Sequence, residues 1–98
     1  WIYIPNSFTP DHDGINDKFC LFYSGIREAS FNLNIFDRFS NLVYSTNNIH
    51  DLSCESGWDG KHYTSGKDLP MGAYIYEVSY QDFEGWKHQE YGKIILVR

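Results

Sequence analysis

Gly72-Ala73-Tyr74-Ile75-Tyr76-Glu77-Val78-Ser79-Tyr80-Gln81 is the stretch that decides the fold. Tyr74, Tyr76, Val78 and Tyr80 fall on one face of an extended chain, and Glu77, Ser79 and Gln81 on the other. Side chains alternating with period two line opposite faces of a strand, so this is a half-buried β-strand. Leu69-Pro70-Met71-Gly72 before it reads as a turn. Gly85, after Asp82-Phe83-Glu84, closes a hairpin onto a last strand running from about Trp86 to Val97. Gly92 within that strand predicts a bulge that changes which face points inward.

Working back towards the start, Trp58-Asp59-Gly60 reads as an anchored turn, while residues 46–57 are polar and carry little pattern. Phe31, Leu33 and Ile35 alternate with Asn32 and Asn34, giving a strand with one buried face. Ser40-Asn41 connects it tightly to Leu42-Val43-Tyr44, a second hairpin. Residues 1–4 form a first strand stopped by Pro5, which lacks a backbone donor. Lys18 to Tyr23 is the second strand, followed by a turn at Gly25. About seven short strands separated by turns predict an all-β, immunoglobulin-like antiparallel sandwich, formed as a single domain over residues 1–98.

Composition agrees. Eight Tyr, seven Phe and three Trp among 98 residues supply the flat side chains that pack on pleated surfaces. The formal charge of −5, with eight scattered Lys and Arg, gives no clustered basic surface for nucleic acid. No apolar run approaches the roughly 20 residues of a membrane span, and no leader-type segment opens the chain. An opening directly in Trp1-Ile2-Tyr3-Ile4 suggests the terminal piece of a longer protein.

Three features invite chemistry. Cys20 and Cys54 either pair as a disulfide in an oxidising compartment or stand as a small core residue and a free loop thiol. Asp11, Asp13, Asn16 and Asp17 crowd around Gly14, as oxygen ligands do around the sharp turn of a calcium loop. In that reading Asp11, Asp13 and Asp17 bind by carboxylate and Ile15 by its carbonyl. Thr9 and Cys20 stand where the first and last ligands belong, so only half of such a loop is present. A metal-free turn, with Asx side chains bonded to their own backbone, accounts for the same residues. For catalysis the parts are missing. His12, His50, His62 and His88 are dispersed, and no nucleophile elbow, HExxH pair or phosphate loop occurs. Asp59 and Asp68 read as solvated turn residues rather than an acid/base pair. A non-catalytic domain is expected.

Pro5-Asn6-Ser7-Phe8-Thr9-Pro10, followed by Asp13-Gly14-Ile15-Asn16-Asp17, resembles the opening of the gliding motility-associated C-terminal domain. That family is the type B sorting domain of the type IX secretion system of Bacteroidetes. Leu33-Asn34-Ile35-Phe36-Asp37-Arg38 is similar to its strand leading into an arginine-containing turn. Trp58-Asp59-Gly60, Leu69-Pro70-Met71-Gly72-Ala73-Tyr74-Ile75-Tyr76 and the closing Gly92-Lys93-Ile94-Ile95-Leu96-Val97-Arg98 follow in the family's order. Two departures stand out. Phe39-Ser40 takes the place of the usual Trp-Gly after the arginine, and Asp11-His12 replaces the common Asn-Gly.

The resemblance implies a cargo address, carried at the C-terminus of a large secreted or cell-surface protein, often an adhesin. Its partners would be an outer-membrane translocon and an outer-membrane barrel of the PorP/SprF kind. Arg38 and the terminal strand residues Ile94, Ile95, Leu96, Val97 and Arg98 are then the candidate partner contacts, the strand acting through an unpaired edge. Phe8, Gly14, Asn16, Trp58, Asp59, Gly60, Pro70, Gly72 and Tyr74 are the structural motif residues. No cofactor is implied beyond the calcium that the acidic loop suggests. A different class, an adhesive or carbohydrate-binding module, would use the aromatics Tyr63, Trp86 and Tyr91.

Overall fold

The computed structural model describes residues 1–10, 18–54 and 56–97. Seven strands occur among them: β1 (Ile2–Tyr3), β2 (Ser7–Phe8), β3 (Phe22–Tyr23), β4 (Ile26–Phe36), β5 (Leu42–Thr46), β6 (Gly72–Asp82) and β7 (Lys87–Leu96). One sheet has five strands in the order β2-β7-β6-β4-β5, and β1 with β3 forms a second, two-stranded sheet. All pairings are antiparallel except β2 with β7. The architecture is the expected all-β, immunoglobulin-like sandwich, in an open form with one layer much larger than the other.

The large sheet turns an apolar face inward. Phe31, Leu33 and Ile35 of β4, Tyr74, Val78 and Tyr80 of β6, and Ile94 and Leu96 of β7 are buried there. Opposite them the cover is irregular. Among the described residues it consists of β1 and β3, residues 18–21, the 3₁₀ turn Ile49–Leu52 and the loop to Trp58. The expected strand from Lys18 to Tyr23 shrinks to Phe22–Tyr23, because the residues before it pair with a loop. Phe19 exchanges backbone hydrogen bonds with Trp58 at 2.7 and 3.1 Å, and the Leu21 N–H donates to the Leu52 carbonyl at 2.9 Å. Between them Cys20 is joined to Cys54 by a disulfide, which settles the open question of pairing.

Two sequence expectations need correction. β4 begins at Ile26 rather than near Phe31, and its register against β6 shifts between Arg27 and Asn32. Ser30 bridges that irregularity, donating its hydroxyl to the Arg27 carbonyl and accepting the Gln81 N–H. Gly92 makes no bulge: β6 and β7 stay in register from Gly72↔Leu96 to Gln81↔Lys87. Its bare Cα instead seats the ring of Tyr76, the residue directly across, where a Cβ would collide. The glycine marks a close approach of a ring, not the expected bulge.

The two hairpins share one construction. Asp37 Oδ1 accepts the N–H groups of Phe39 and Asn41 at 2.8 and 2.9 Å, and the Asp37 N–H donates to the Asn41 carbonyl. Asp82 Oδ1 likewise accepts from Glu84 and Trp86, both at 3.0 Å, with its N–H donating to the Trp86 carbonyl. The fourth residue of each loop has positive φ: Ser40 at 65° and Gly85 at 90°. That is a three-residue hairpin closed by a left-handed residue, the conformation glycine takes without steric cost. The carboxylates are held below the usual range, Asp37 chiefly by the Asn41 N–H and Asp82 chiefly by the His88 ring, which lies 2.9 Å from its Oδ2.

These turns generate two expectations. Ser40→Gly removes a left-handed penalty of about 1 kcal/mol and raises the melting temperature, whereas Gly85→Ala lowers it by a similar step in ΔG; thermal melts of the two variants check the pair. A depressed carboxylate stabilises the fold above its unfolded pKa of about 3.9 and loses that contribution as pH falls through the folded value. The melting temperature therefore drops as pH falls below about 4, and Asp37→Asn with Asp82→Asn flattens that part of the melting profile.

Candidate functional site

Trp58 is the junction of the two layers. It is 2% exposed and surrounded by rings: Phe8 at 5.2 Å between centroids, Tyr74 at 5.8 Å, Tyr44 at 5.9 Å and Phe19 at 6.4 Å. Tyr74 and Phe19 meet it nearly edge-on, the arrangement aromatic quadrupoles favour. The indole N–H donates to the Lys61 carbonyl at 2.9 Å, so no polar atom of the ring is stranded. Asp59 stays exposed and accepts the Lys61 N–H, while the Gly60 carbonyl accepts the Leu69 N–H at 2.9 Å. The Tyr74 hydroxyl donates to the Pro70 carbonyl at 2.6 Å. Burial, with Asp51 and Asp59 nearby, pushes the Tyr44 phenol up to about 12. The Trp-Asp-Gly and Leu-Pro-Met-Gly motifs thus form one joint, closed by backbone bonds and a shared aromatic cluster.

Against this joint lies a groove of about 210 Å³ between the Asp37–Asn41 turn and residues 69–74. The Arg38 guanidinium sits 4.9 Å above the Phe39 ring, and Phe39 is 71% exposed. Met71 across the groove is 61% exposed. Leu96 pairs with Gly72, so the end of β7 arrives at the same end of the sheet. Two motifs far apart in sequence, the arginine turn and the Leu-Pro-Met-Gly turn, therefore line one groove, and the terminal strand finishes at the same end of the sheet. An arginine stacked on an aromatic beside a flexible thioether gives the patch a planar cation and exposed apolar area together. Sequence reading singled out Arg38 and Pro70 separately; their meeting is tertiary and left no local trace.

The expectation of an unpaired edge at residues 94–97 is corrected. Ile94 and Leu96 are core residues, and the outward N–H groups of Ile95 and Val97 donate to the carbonyls of Asn6 and Phe8 at 2.8 and 3.0 Å. Pro5 ends the first strand and lets Ser7–Phe8 fall in parallel beside β7, sealing that stretch. Only the side chains of Ile95 and Val97, 37% and 39% exposed, remain available there. Arg98 lies outside the described residues, as do the calcium candidates Asp11, Asp13, Ile15 and Asp17 and the motif residues Gly14 and Asn16.

The other candidates stay apart. His50 faces Glu28 at 2.5 Å, His62 bonds within its own turn to Thr64, and His88 faces Asp82. Among the described residues no three His, Cys, Asp or Glu side chains are grouped as a metal site. The three aromatics of the adhesive reading do not make one platform. Tyr63 donates its N–H to Val43 on β5, at one edge of the sheet. Trp86 closes the base of the β6–β7 turn, and Tyr91 is on β7 towards the opposite edge. No described helix is long and apolar enough to cross a membrane.

Taken together, the features define a small all-β domain whose distinctive motifs build a joint and an exposed end patch. The chain belongs to the type IX secretion signal domain family: the family model CHU_C, "Type IX secretion signal domain", matches residues 2–96. No curated protein matches the chain. Among solved structures, the crystal structure of CopC from Methylosinus trichosporium OB3b is similar with a TM-score of 0.49 at 16% identity, covering 76% of this chain and 69% of that one. Membership makes the domain a signal for type IX secretion, directed to the secretion machinery and to export, as the sequence resemblance implied.

The bridge from Cys20 to Cys54 spans 34 residues, for which the chain-entropy account gives about 4 kcal/mol of stabilisation. Urea unfolding with and without reductant should differ by about 3–4 kcal/mol, and the Cys20→Ser, Cys54→Ser double variant should show the reduced value in both.

Proposed function

We propose that this domain is a non-catalytic C-terminal sorting and translocation signal, directing a large cell-surface or secreted protein through the type IX secretion system. The observation carrying this reading is the family match over residues 2–96. The convergence of Arg38, Phe39, Pro70 and Met71 on one groove supports it, because a sorting signal must be read by surface contacts and needs no reactive group. In this reading the outer-membrane translocon, together with a PorP/SprF-type barrel, recognises that end of the sheet. Arg38 offers a planar cation, and Phe39 and Met71 offer apolar area that docking removes from water. Ile95 and Val97 expose apolar side chains at the same end of the sheet. The adhesive alternative has lost its geometric basis with the dispersal of Tyr63, Trp86 and Tyr91.

Residues 1–98 fused behind a periplasmic reporter in a type IX-competent host should carry the reporter to the cell surface or medium. Arg38→Ala with Met71→Ala should cut export about tenfold while leaving the circular dichroism spectrum and melt intact. Retention of the wild-type fusion in the periplasm, beside export by an established type B signal, would refute the sorting role. Undiminished export by the double variant would remove the groove from it.

A further inference from the structure

β7 is sealed by β2 only at its end. Residues 95 and 97 point their N–H groups outward to β2, and β6 and β7 hold one register throughout. Alternation then directs the outward backbone groups of Lys87, Gln89, Tyr91 and Lys93 away from β6. No strand among the described residues pairs with them, and all four residues are exposed. The sheet thus carries a seven-residue open edge in line with the slot that β2 fills.

The charges along this edge discriminate between occupants. Lys87, Gln89, Tyr91 and Lys93 face the outer side of the sheet, while His88, Glu90 and Gly92 share the side of the buried Ile94 and Leu96. A second copy pairing antiparallel along the whole edge would set Lys87 opposite Lys93 and Glu90 opposite Glu90. Like charges directly across a ladder are unfavourable, so the edge rejects its own copy. His88 is already engaged by Asp82 and stacked on Tyr80, with centroids 5.0 Å apart, leaving Glu90 as the acid at the centre.

We propose that the Lys87–Lys93 edge binds an extended segment of another protein by strand addition. The segment bears carboxylates that meet Lys87 and Lys93, a basic residue that meets Glu90, and apolar residues beside Gln89 and Tyr91. Main-chain bonds supply the attachment, and the acid-base-acid spacing supplies the selection. This edge is separate from the Arg38 groove, and its occupancy does not depend on the sorting role.

The test uses isotope-labelled residues 1–98 and a capped peptide, Glu-Thr-Val-Lys-Val-Thr-Glu, followed by amide NMR. Shifts should concentrate at Lys87, Gln89, Tyr91 and Lys93. The charge-reversed peptide, Lys-Thr-Val-Glu-Val-Thr-Lys, should bind at least tenfold more weakly. Tyr91→Pro deletes an outward N–H that β6 does not use and should abolish binding. Glu90→Lys leaves the backbone intact and should weaken the first peptide at least tenfold, which keeps the test decisive if the proline variant misfolds. Absence of shifts along the edge, equal binding of the two peptides, or concentration-dependent self-association through residues 87–93 would overturn the proposal.

Discussion

The packing of Trp58 against four rings is the interaction on which the remaining structure depends. A five-stranded sheet with one apolar face must hide that face, yet this chain spends few residues on a second regular layer. Among the described residues β1 and β3 contribute two residues each, and the rest of the cover is loop and a single 3₁₀ turn. Loops carry backbone groups that need partners when buried. The chain meets that need by running the Phe19 and Trp58 segments as mutual partners and by anchoring Leu21 to Leu52. With the Cys20–Cys54 bridge between these bonds, the irregular cover is held at three adjacent points. Trp58 then fills the space that a longer strand would have filled with several smaller side chains.

How much of this could be read beforehand follows from the range of each interaction. The strand around Tyr74 to Gln81 and the alternation of Phe31, Leu33 and Ile35 are period-two signals, complete within a few residues. Both appear as read, with Tyr76 half-buried because its ring rests on Gly92 rather than in the core. Long-range features were less legible. Whether Cys20 met Cys54 depended on where two loops lie, and the parallel docking of Ser7–Phe8 on β7 depended on the chain passing from one sheet to the other after Pro5. The second of these altered the functional picture, since the same residues that end the first strand remove the expected free edge. The acidic loop from Asp11 to Asp17 was conspicuous in sequence and lies outside the described residues.

The departure at Phe39-Ser40 is informative because the structure explains what the turn demands. Its fourth position is left-handed, which glycine accepts freely and serine accepts at a cost. Ser40 nonetheless holds a φ of 65°, because Asp37 binds the N–H groups on both sides of it and the Asn41 side chain as well. The carboxylate over-determines the loop, so loss of glycine changes stability rather than shape. Phe39 keeps the role that an indole would have there, a flat face under the arginine cation. A Trp-to-Phe exchange weakens a cation–π contact without abolishing it. The surface presented by Arg38 therefore survives both substitutions.

In the two proposals, the ends of β7 divide two modes of recognition between them. Near Leu96 the backbone is consumed by β2 and β6, so a partner can read only side chains: Arg38, Phe39, Met71, Ile95 and Val97. Near Lys87 to Lys93 the backbone is open, so a partner can read the ladder itself. These modes have different tolerances. A side-chain patch is lost by single truncations at its centre, whereas a ladder survives most side-chain changes and fails on loss of a donor. A signal read through the arginine turn and the Leu-Pro-Met-Gly motifs would use the first mode. In this chain those motifs do two jobs at once, since Pro70 and Tyr74 close the joint around Trp58 while their neighbours Met71 and Gly72 form the lip of the groove. If the Arg38 groove is the address, its recognition is coupled to folding: a domain with an unformed aromatic joint cannot hold Arg38 and Met71 across from one another, and would present no address.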